Sequence, residues 1–430
     1  MAEWVQASAA DNAPTRSDRQ GGPYATYRPD LLMVRPLALD RDIGELAAQV
    51  ERSVRLLGRA PGAHGLEGLA RFLLRSEAIA SSRIEGMEVS PQQVGLAELV
   101  DEESLTAAKV NRTARRVAAN IAALRRATTE LADAPDLDVA GIEALHVVLL
   151  ADEPELHGLR SVQNWIGGSG YHPIGADFVP PDPMLVPDLM ADLAGYLNTA
   201  GHSALIQAGL AHAQFETIHP FRDGNGRVGR ALIHTVLVRR GMSSQAVLPI
   251  SPVLLTRSRE YVSGLTSYRY AGAADSATAQ EAQSQWLRCF LQAVAVAVEQ
   301  AAQFAADLAE LRERWVSDLA AHRRREGIRE VPRADSATAR ILATLQEHPV
   351  LTTPTVMRLF DLSQPPASAA LEELTGAGVL TARKLGRAKA FLATDVFDLI
   401  AFAERRLAST RWDTAASAPP RPAPRAGPAR

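Results

Sequence analysis

His219-Pro220-Phe221-Arg222-Asp223-Gly224-Asn225-Gly226-Arg227-Val228-Gly229-Arg230 places one base, one acid, three glycines and three arginines within a single turn and the helix after it. The glycines permit a sharp backbone turn, and bare N–H groups at the start of the following helix form a cradle for an anion. Phosphate is the expected guest. Asp223 offers oxygen to a divalent cation, the arginines can neutralise phosphate oxygens, and His219 has a pKa suited to general-base work. The stretch therefore reads as a nucleotide site.

Working outward, a helix over 203–218 leads into this stretch, and another continues from 227 to 240, ended by Gly241. Between Leu159 and Pro183, Trp165-Ile166-Gly167-Gly168, a turn near Gly170 to Gly175, and Phe178-Val179-Pro180-Pro181 predict a short β-hairpin with a proline stop. An exposed edge of that kind can recruit a peptide. Further upstream, Leu66, Leu69, Ala70, Leu73, Ala80 and Ile84 recur at helical spacing, with Gly86 as the expected C-cap. Glu85 falls at the C-terminal end of that helix, where a carboxylate opposes the dipole, so its partner must be a cation elsewhere.

Helices are also expected from Asp40, at roughly 91–100, 105–129, 138–150, 184–199 and 256–270, and along 278–325, with a break at Gly58 to Gly65. After a charged break, helices around 336–347, 352–360 and 366–377 precede a basic strand pair at 379–394. That order is a winged helix-turn-helix. The expected partition is an extended N-terminal arm at 1–39, N-terminal helices at 40–104, a catalytic core at 105–275, a helical linker at 276–332, a winged helix domain at 333–397, and a helix end with a disordered Pro/Ala/Arg-rich tail at 398–430.

Composition limits the function classes. At 430 residues and 47% hydrophobic the chain can bury a large core in two or three domains. A formal net charge of −3 excludes a globally basic nucleic-acid binder and leaves only a local patch for such contact. The single cysteine, Cys289, cannot form an intrachain disulfide, which suits a reducing cytoplasm. Met1 to Asp11 lack the pattern of a signal peptide, and apolar stretches such as Phe290–Val298 are too short to cross a bilayer, so a cytoplasmic protein without a membrane partner is expected.

With every fixed position matched, the opening stretch resembles the signature of the Fic family: His, any residue, Phe, any residue, Asp or Glu, Gly-Asn-Gly-Arg, two residues, Arg. The resemblance covers roughly residues 66–270. It implies a mainly α fold, a Fic-type helical bundle with a short β-hairpin flap, and transfer of AMP from ATP to a Ser, Thr or Tyr hydroxyl of a protein with release of pyrophosphate. It implies His219 as base, Asp223 as the holder of Mg²⁺, and Phe221 as the loop's anchor. Asn225 and the N–H groups near Gly224 and Gly226 would hold the α-phosphate, with Arg227 and Arg230 at the β- and γ-phosphates. A lysine in place of Gly226 would instead resemble members that transfer phosphate. Trp165, Ile166, Gly167, Phe178 and Val179 resemble the flap against which the target lies.

Ser81-Ser82-Arg83-Ile84-Glu85-Gly86 resembles the family's inhibitory motif, with Ser81, Glu85 and Gly86 at its fixed positions. Its place before the core implies that Glu85 pairs with Arg230 and blocks the γ-phosphate. The expectation is an adenylyltransferase autoinhibited by Glu85. The alternatives are a DNA-binding regulator whose Fic domain senses ATP, and an enzyme that removes AMP with Glu85 aligning a water. Expected partners are ATP and a protein substrate, the chain itself among the candidates, in a homo-oligomer. For the C-terminal unit, protein docking or self-association stands ahead of DNA. The recognition helix carries Glu372 and Glu373 but no base, although Arg383, Lys384, Arg387 and Lys389 furnish the wing. His146, His172 and His212 lack metal-ligand spacing and read as packed side chains.

Overall fold

A computed structural model describes residues 2–4, 15, 17–19, 21–35, 37–57, 66–103, 110–199, 201–242, 247–386 and 388–410. The expected break at 58–65, the tail from Ala415 and Arg387 of the wing lie outside these residues. The helices are α1 (Arg41–Leu57), α2 (Leu66–Ile84), α3 (Pro91–Glu102), α4 (Arg112–Arg126), α5 (Val139–Leu149), α6 (Val186–Thr199), α7 (Ala204–Ile218), α8 (Asn225–Arg239), α9 (Ile250–Thr256), α10 (Ser258–Tyr268) and α11 (Ala277–Arg325). Beyond them come α12 (Ala337–Thr344), α13 (Thr353–Phe360), α14 (Gln364–Gly376) and α15 (Thr394–Thr410).

The helix that organises this set is α7, every residue of which is buried. A helix with no polar face can only be an interior one, and α8, α6, α11, α10 and α1 pack around it. Its successor α8 starts at Asn225, two residues earlier than the sequence suggests, because Gly224 takes φ 83° as N-cap and lets the chain turn directly into the helix. Of the anticipated helix at 105–129, residues 105–109 lie outside the described residues; α4 starts at Arg112 and passes at 127–131 into a π turn, where Thr128 and Thr129 hydroxyls bond back to the carbonyls of Leu124 and Arg125. The helix expected over 256–270 is α10, and the short α9 that precedes it, separated by Arg257, was not expected.

In α11 one window is long and apolar enough to span a bilayer by composition, contrary to the sequence expectation. Its Trp286, Phe290, Leu291, Val294, Phe304 and Trp315 stripe is buried against other helices, as befits a core helix. Cys289, on the same helix, is half-buried.

The hairpin contracts to a single antiparallel bridge, Ile166 with Phe178, closed by two backbone hydrogen bonds of 2.9 and 3.1 Å. Gly167 and Gly168 follow at φ 75° and 70°, which ends any strand at once. The described parts of the arm pair with each other and with the core. Strands β1 (Ala2–Trp4) and β2 (Gly22–Tyr24) pair antiparallel, Tyr27 N–H donates to the Val179 carbonyl at 2.9 Å, and Asp192 accepts from the Leu32 and Met33 amides.

The C-terminal unit runs α12, β3 (Val350–Thr352), α13, α14, β4 (Thr381–Leu385), β5 (Ala388–Leu392), with sheet order β3-β5-β4, all antiparallel. Strand β3 was not expected; it is three residues long and merges into the Thr352 cap of α13. After the sheet, α15 returns to pack on α3, α9 and α11. Phe397 presses on Gly95, where an added Cβ would lie 2.5 Å from its ring. Phe397 belongs to a small cluster with Leu99, Val350, Ala390 and Leu392, beside the main core that takes in both Leu32 of the arm and Leu407.

Candidate active site

The site begins where α7 ends. His219 caps that helix in the left-handed region at φ 50°, ψ 59°, a conformation that costs a non-glycine residue roughly 1–2 kcal/mol. Several groups hold it there. Its amide donates to Phe215 O at 2.8 Å, while its carbonyl accepts from Arg160 Nε at 2.9 Å. Arg160 is buried and spreads its other donors over the carbonyls of Ile218, Val162 and Pro181, so one guanidinium ties the flap's ends to the turn. Asn164 adds a bond to Phe221 O at 3.0 Å. Burial pushes Arg160 down to about 10, still charged at neutral pH.

Phe221 is fully buried and stacks on His146, ring centroids 3.9 Å apart. His146 Nε2 lies 3.0 Å from the Asp223 carbonyl, and burial pushes this imidazole down to about 4. Its role is to brace the loop. Asn225 corrects the sequence expectation. Both ends of its amide bond the backbone of Phe221, N–H to Oδ1 and Nδ2 to the carbonyl, each at 2.8 Å, so it pins the loop and offers phosphate at most its second amide hydrogen.

Asp223 carries a half-exposed carboxylate that contacts Arg227 at 3.3 Å and Arg116 of α4 at 2.8 Å; Arg116 also pairs with Glu153. Arg227 is 1% exposed, and its Nε and Nη1 have no hydrogen-bond partner. Buried unpaired guanidinium donors are costly, so this end of the site fits an anion. Among the described residues no cluster of three or more His, Cys, Asp or Glu can hold an ion alone. A cation at Asp223 must therefore share ligands with a bound phosphate, as Mg²⁺ commonly does.

Arg230 is buried and fully engaged. Nε donates to Ser81 Oγ at 2.9 Å, and Nη2 donates to the Ser81 carbonyl at 2.8 Å and to Glu85 Oε1 at 2.7 Å. Burial alone would lower the Arg230 pKa, yet Glu85 beside it raises it above the ordinary value. Glu85 sits one residue beyond α2, and Gly86, at φ 76°, completes the turn. Its carboxylate lies directly over the start of α8: a Cβ on Gly226 would meet Glu85 Oε1 at 2.0 Å. The positive end of α8 and one of its arginines thus hold an internal anion. Helix α2 is seated by Glu77, whose carboxylate accepts from Ser251 N at 2.7 Å and contacts His234 Nε2 at 3.0 Å, all three residues buried. Asn120 adds bonds to Ala78 O and Ser82 Oγ.

The flap residues divide. Trp165, Ile166 and Gly167 lie on the outer side, Ile166 being 40% exposed, and the Trp165 indole donates to Ser169 O at 2.6 Å. Phe178 and Val179, expected at the target-docking edge, are buried. Arg269 lies 3.4 Å over the Phe178 ring, and Tyr27 of the arm already occupies the Val179 carbonyl. Arg116, Arg160, Asn164 and Glu77 escaped the sequence reading, since each is an ordinary polar residue whose partner comes from a distant segment.

Residues 136–237 match the model of the Fic/DOC family. A probable protein adenylyltransferase of Aquifex aeolicus is 41% identical over 73 residues, 17% of this chain and 23% of that protein. Protein adenylyltransferase fic-1 of Caenorhabditis elegans is 30% identical over 116 residues, 26% of this chain and 20% of that one. The chain thus spans about a fifth to a quarter of the length of these relatives. A Fic family protein of Desulfovibrio desulfuricans overlays with TM-score 0.49 and 21% identity, over 83% of this chain and 98% of that one. The stretch that matches the Fic/DOC model contains the motif from His219 to Arg230 with every fixed position intact.

Proposed function

We propose that the protein is an adenylyltransferase that moves AMP from ATP to a hydroxyl of a protein. The observation that carries this reading is the pairing of a neutral, strained His219 with an anion-seeking helix start whose Arg227 Nε and Nη1 are unpaired. Burial pushes His219 down to about 4, Glu85 acting in the opposite sense, so the imidazole is unprotonated at pH 7 and free to accept a proton. His219 takes the proton of the target hydroxyl as its oxygen attacks the α-phosphorus; the bond to the β-phosphate oxygen breaks and pyrophosphate leaves. The N–H groups at the start of α8 receive α-phosphate oxygens, Arg227 the β-phosphate, and Arg230 the γ-phosphate once Glu85 has left it. Asp223 would hold Mg²⁺, which when bound neutralises phosphate charge, and Arg116 would have to yield its contact with that carboxylate.

Glu85 makes the resting protein autoinhibited, since its carboxylate and a γ-phosphate compete for one guanidinium. The target segment approaches along Trp165 to Gly167, where Ile166 is exposed. The C-terminal unit has the strand and helix order of a winged helix. Its Lys389 is paired with Glu372 of α14, so the wing and the would-be recognition helix neutralise each other, which favours protein docking over DNA.

The test uses the full chain with ATP labelled at either the α or the γ position. Protein-bound label from the α position alone, abolished in His219→Ala, is the expected result. Label from the γ position would indicate phosphate transfer and overturn the reading.

A further inference from the structure

Glu216 lies one turn before His219 on α7, so the two side chains share a face. Its Oε2 is 3.9 Å from His219 Nδ1. Glu216 Oε1 and His219 Nδ1 both lack a hydrogen-bond partner of good geometry, although both are buried, and the backbone group that acts on the His219 ring is that of Glu216 itself. Leaving such groups unpaired costs roughly 1–3 kcal/mol each, so the juxtaposition needs a reason. Space is also reserved for the carboxyl: a Cβ on Gly229 would fall 3.0 Å from Oε1. Around the pair stand Arg230 of α8, Glu85 beyond α2, Tyr261 of α10, Arg269 after it, Arg160 beside His219, and His212 on the same helix.

A histidine that accepts a proton through Nε2 must carry its resting hydrogen on Nδ1. That hydrogen needs an acceptor, or the tautomers mix and the imidazolium formed on proton transfer stands uncompensated in a buried site. We propose that Glu216 is a positioning residue for the transfer described above: its carboxylate accepts a hydrogen bond from His219 Nδ1–H, fixes the Nε2 lone pair toward the incoming hydroxyl, and balances the imidazolium. The contact closes by about 1 Å through side-chain rotation. The hydroxyl proton ends on Nε2, the electron pair of the broken bond leaves with pyrophosphate, and Glu216 gains no proton. Burial pushes Glu216 up to about 7, Arg230 opposing and Glu85 adding to the rise. The carboxylate is therefore formed, and the productive tautomer selected, as pH rises through neutrality.

The inference rests on His219 acting as the base, and its test separates the two. In the nucleotide-free full chain with ¹⁵N-labelled histidine, the His219 ring nitrogens, assigned against His219→Ala, should show the Nδ1–H form above pH 7 and an inflection near pH 7. Glu216→Gln, which keeps the volume, should remove the inflection whether or not the chain transfers AMP. In AMP transfer, Glu216→Gln and Glu216→Ala should lower kcat by roughly 10²-fold with KM for ATP unchanged, and abolish the rising limb near pH 7. Glu216→Asp should restore part of both. A His219 titration and tautomer identical in Glu216→Gln, or a kcat loss with the limb intact, overturns the proposal.

Discussion

His219 is held in a conformation that histidine does not favour, and the cost is carried by the buried contacts of Arg160, Asn164 and Phe215. Removing the imidazole therefore has two separable consequences. Alanine keeps the strain of a positive φ, whereas glycine relieves it in the folded state, though it also frees the unfolded chain. His219→Gly is expected to be more stable than His219→Ala by about 1 kcal/mol in urea unfolding, while both are inactive. Equal stabilities would mean that the turn is not strained. That the motif residues would gather at one turn and helix start was legible, because glycine, histidine and arginine at those spacings admit few backbone arrangements. The role of Asn225 was not, because an amide can face a ligand or its own backbone, and only the closed loop decides between them. Glu216, likewise, is one carboxylate among many until burial beside His219 singles it out.

At the scale of elements, the feature that positions Glu85 is the seating of α2. Its apolar spacing was readable, but its anchor was not, since Glu77, His234 and Ser251 come from three helices and meet only in the fold. Glu77 satisfies the Ser251 amide and the His234 ring in a site closed to water, so truncation leaves unpaired polar groups behind. Glu77→Ala should destabilise the protein by roughly 3–5 kcal/mol in denaturant unfolding, far more than an exposed carboxylate such as Glu45. A loss below about 1 kcal/mol would show that the network is solvated and does not fix α2. The flap shows the opposite limit of sequence reading. Two short apolar stretches about a glycine turn suggested paired strands, yet consecutive glycines at positive φ leave one bridge, and a neighbouring segment, the arm, takes part of the edge.

Over the whole molecule, segments far apart in the chain complete one site. Arg230 and Ser81 are separated by 149 residues and joined by two hydrogen bonds. The mainly helical fold and the order of its elements followed from periodicity. The seating of α15 against α3 did not, since the contact of Phe397 with Gly95 depends on a glycine that looks like an ordinary surface position of an amphipathic helix. The central claim is that Glu85 occupies the anion site at the start of α8 and that its removal frees Arg230 for a γ-phosphate. The most direct measurement compares protein-bound label from α-labelled ATP in the unaltered full chain, in Glu85→Gly, and in Glu85→Gly with His219→Ala. Labelling is predicted to rise about 10-fold or more on loss of Glu85 and to vanish when His219 is removed as well. Labelling in Glu85→Gly equal to or below that of the unaltered chain would contradict the account.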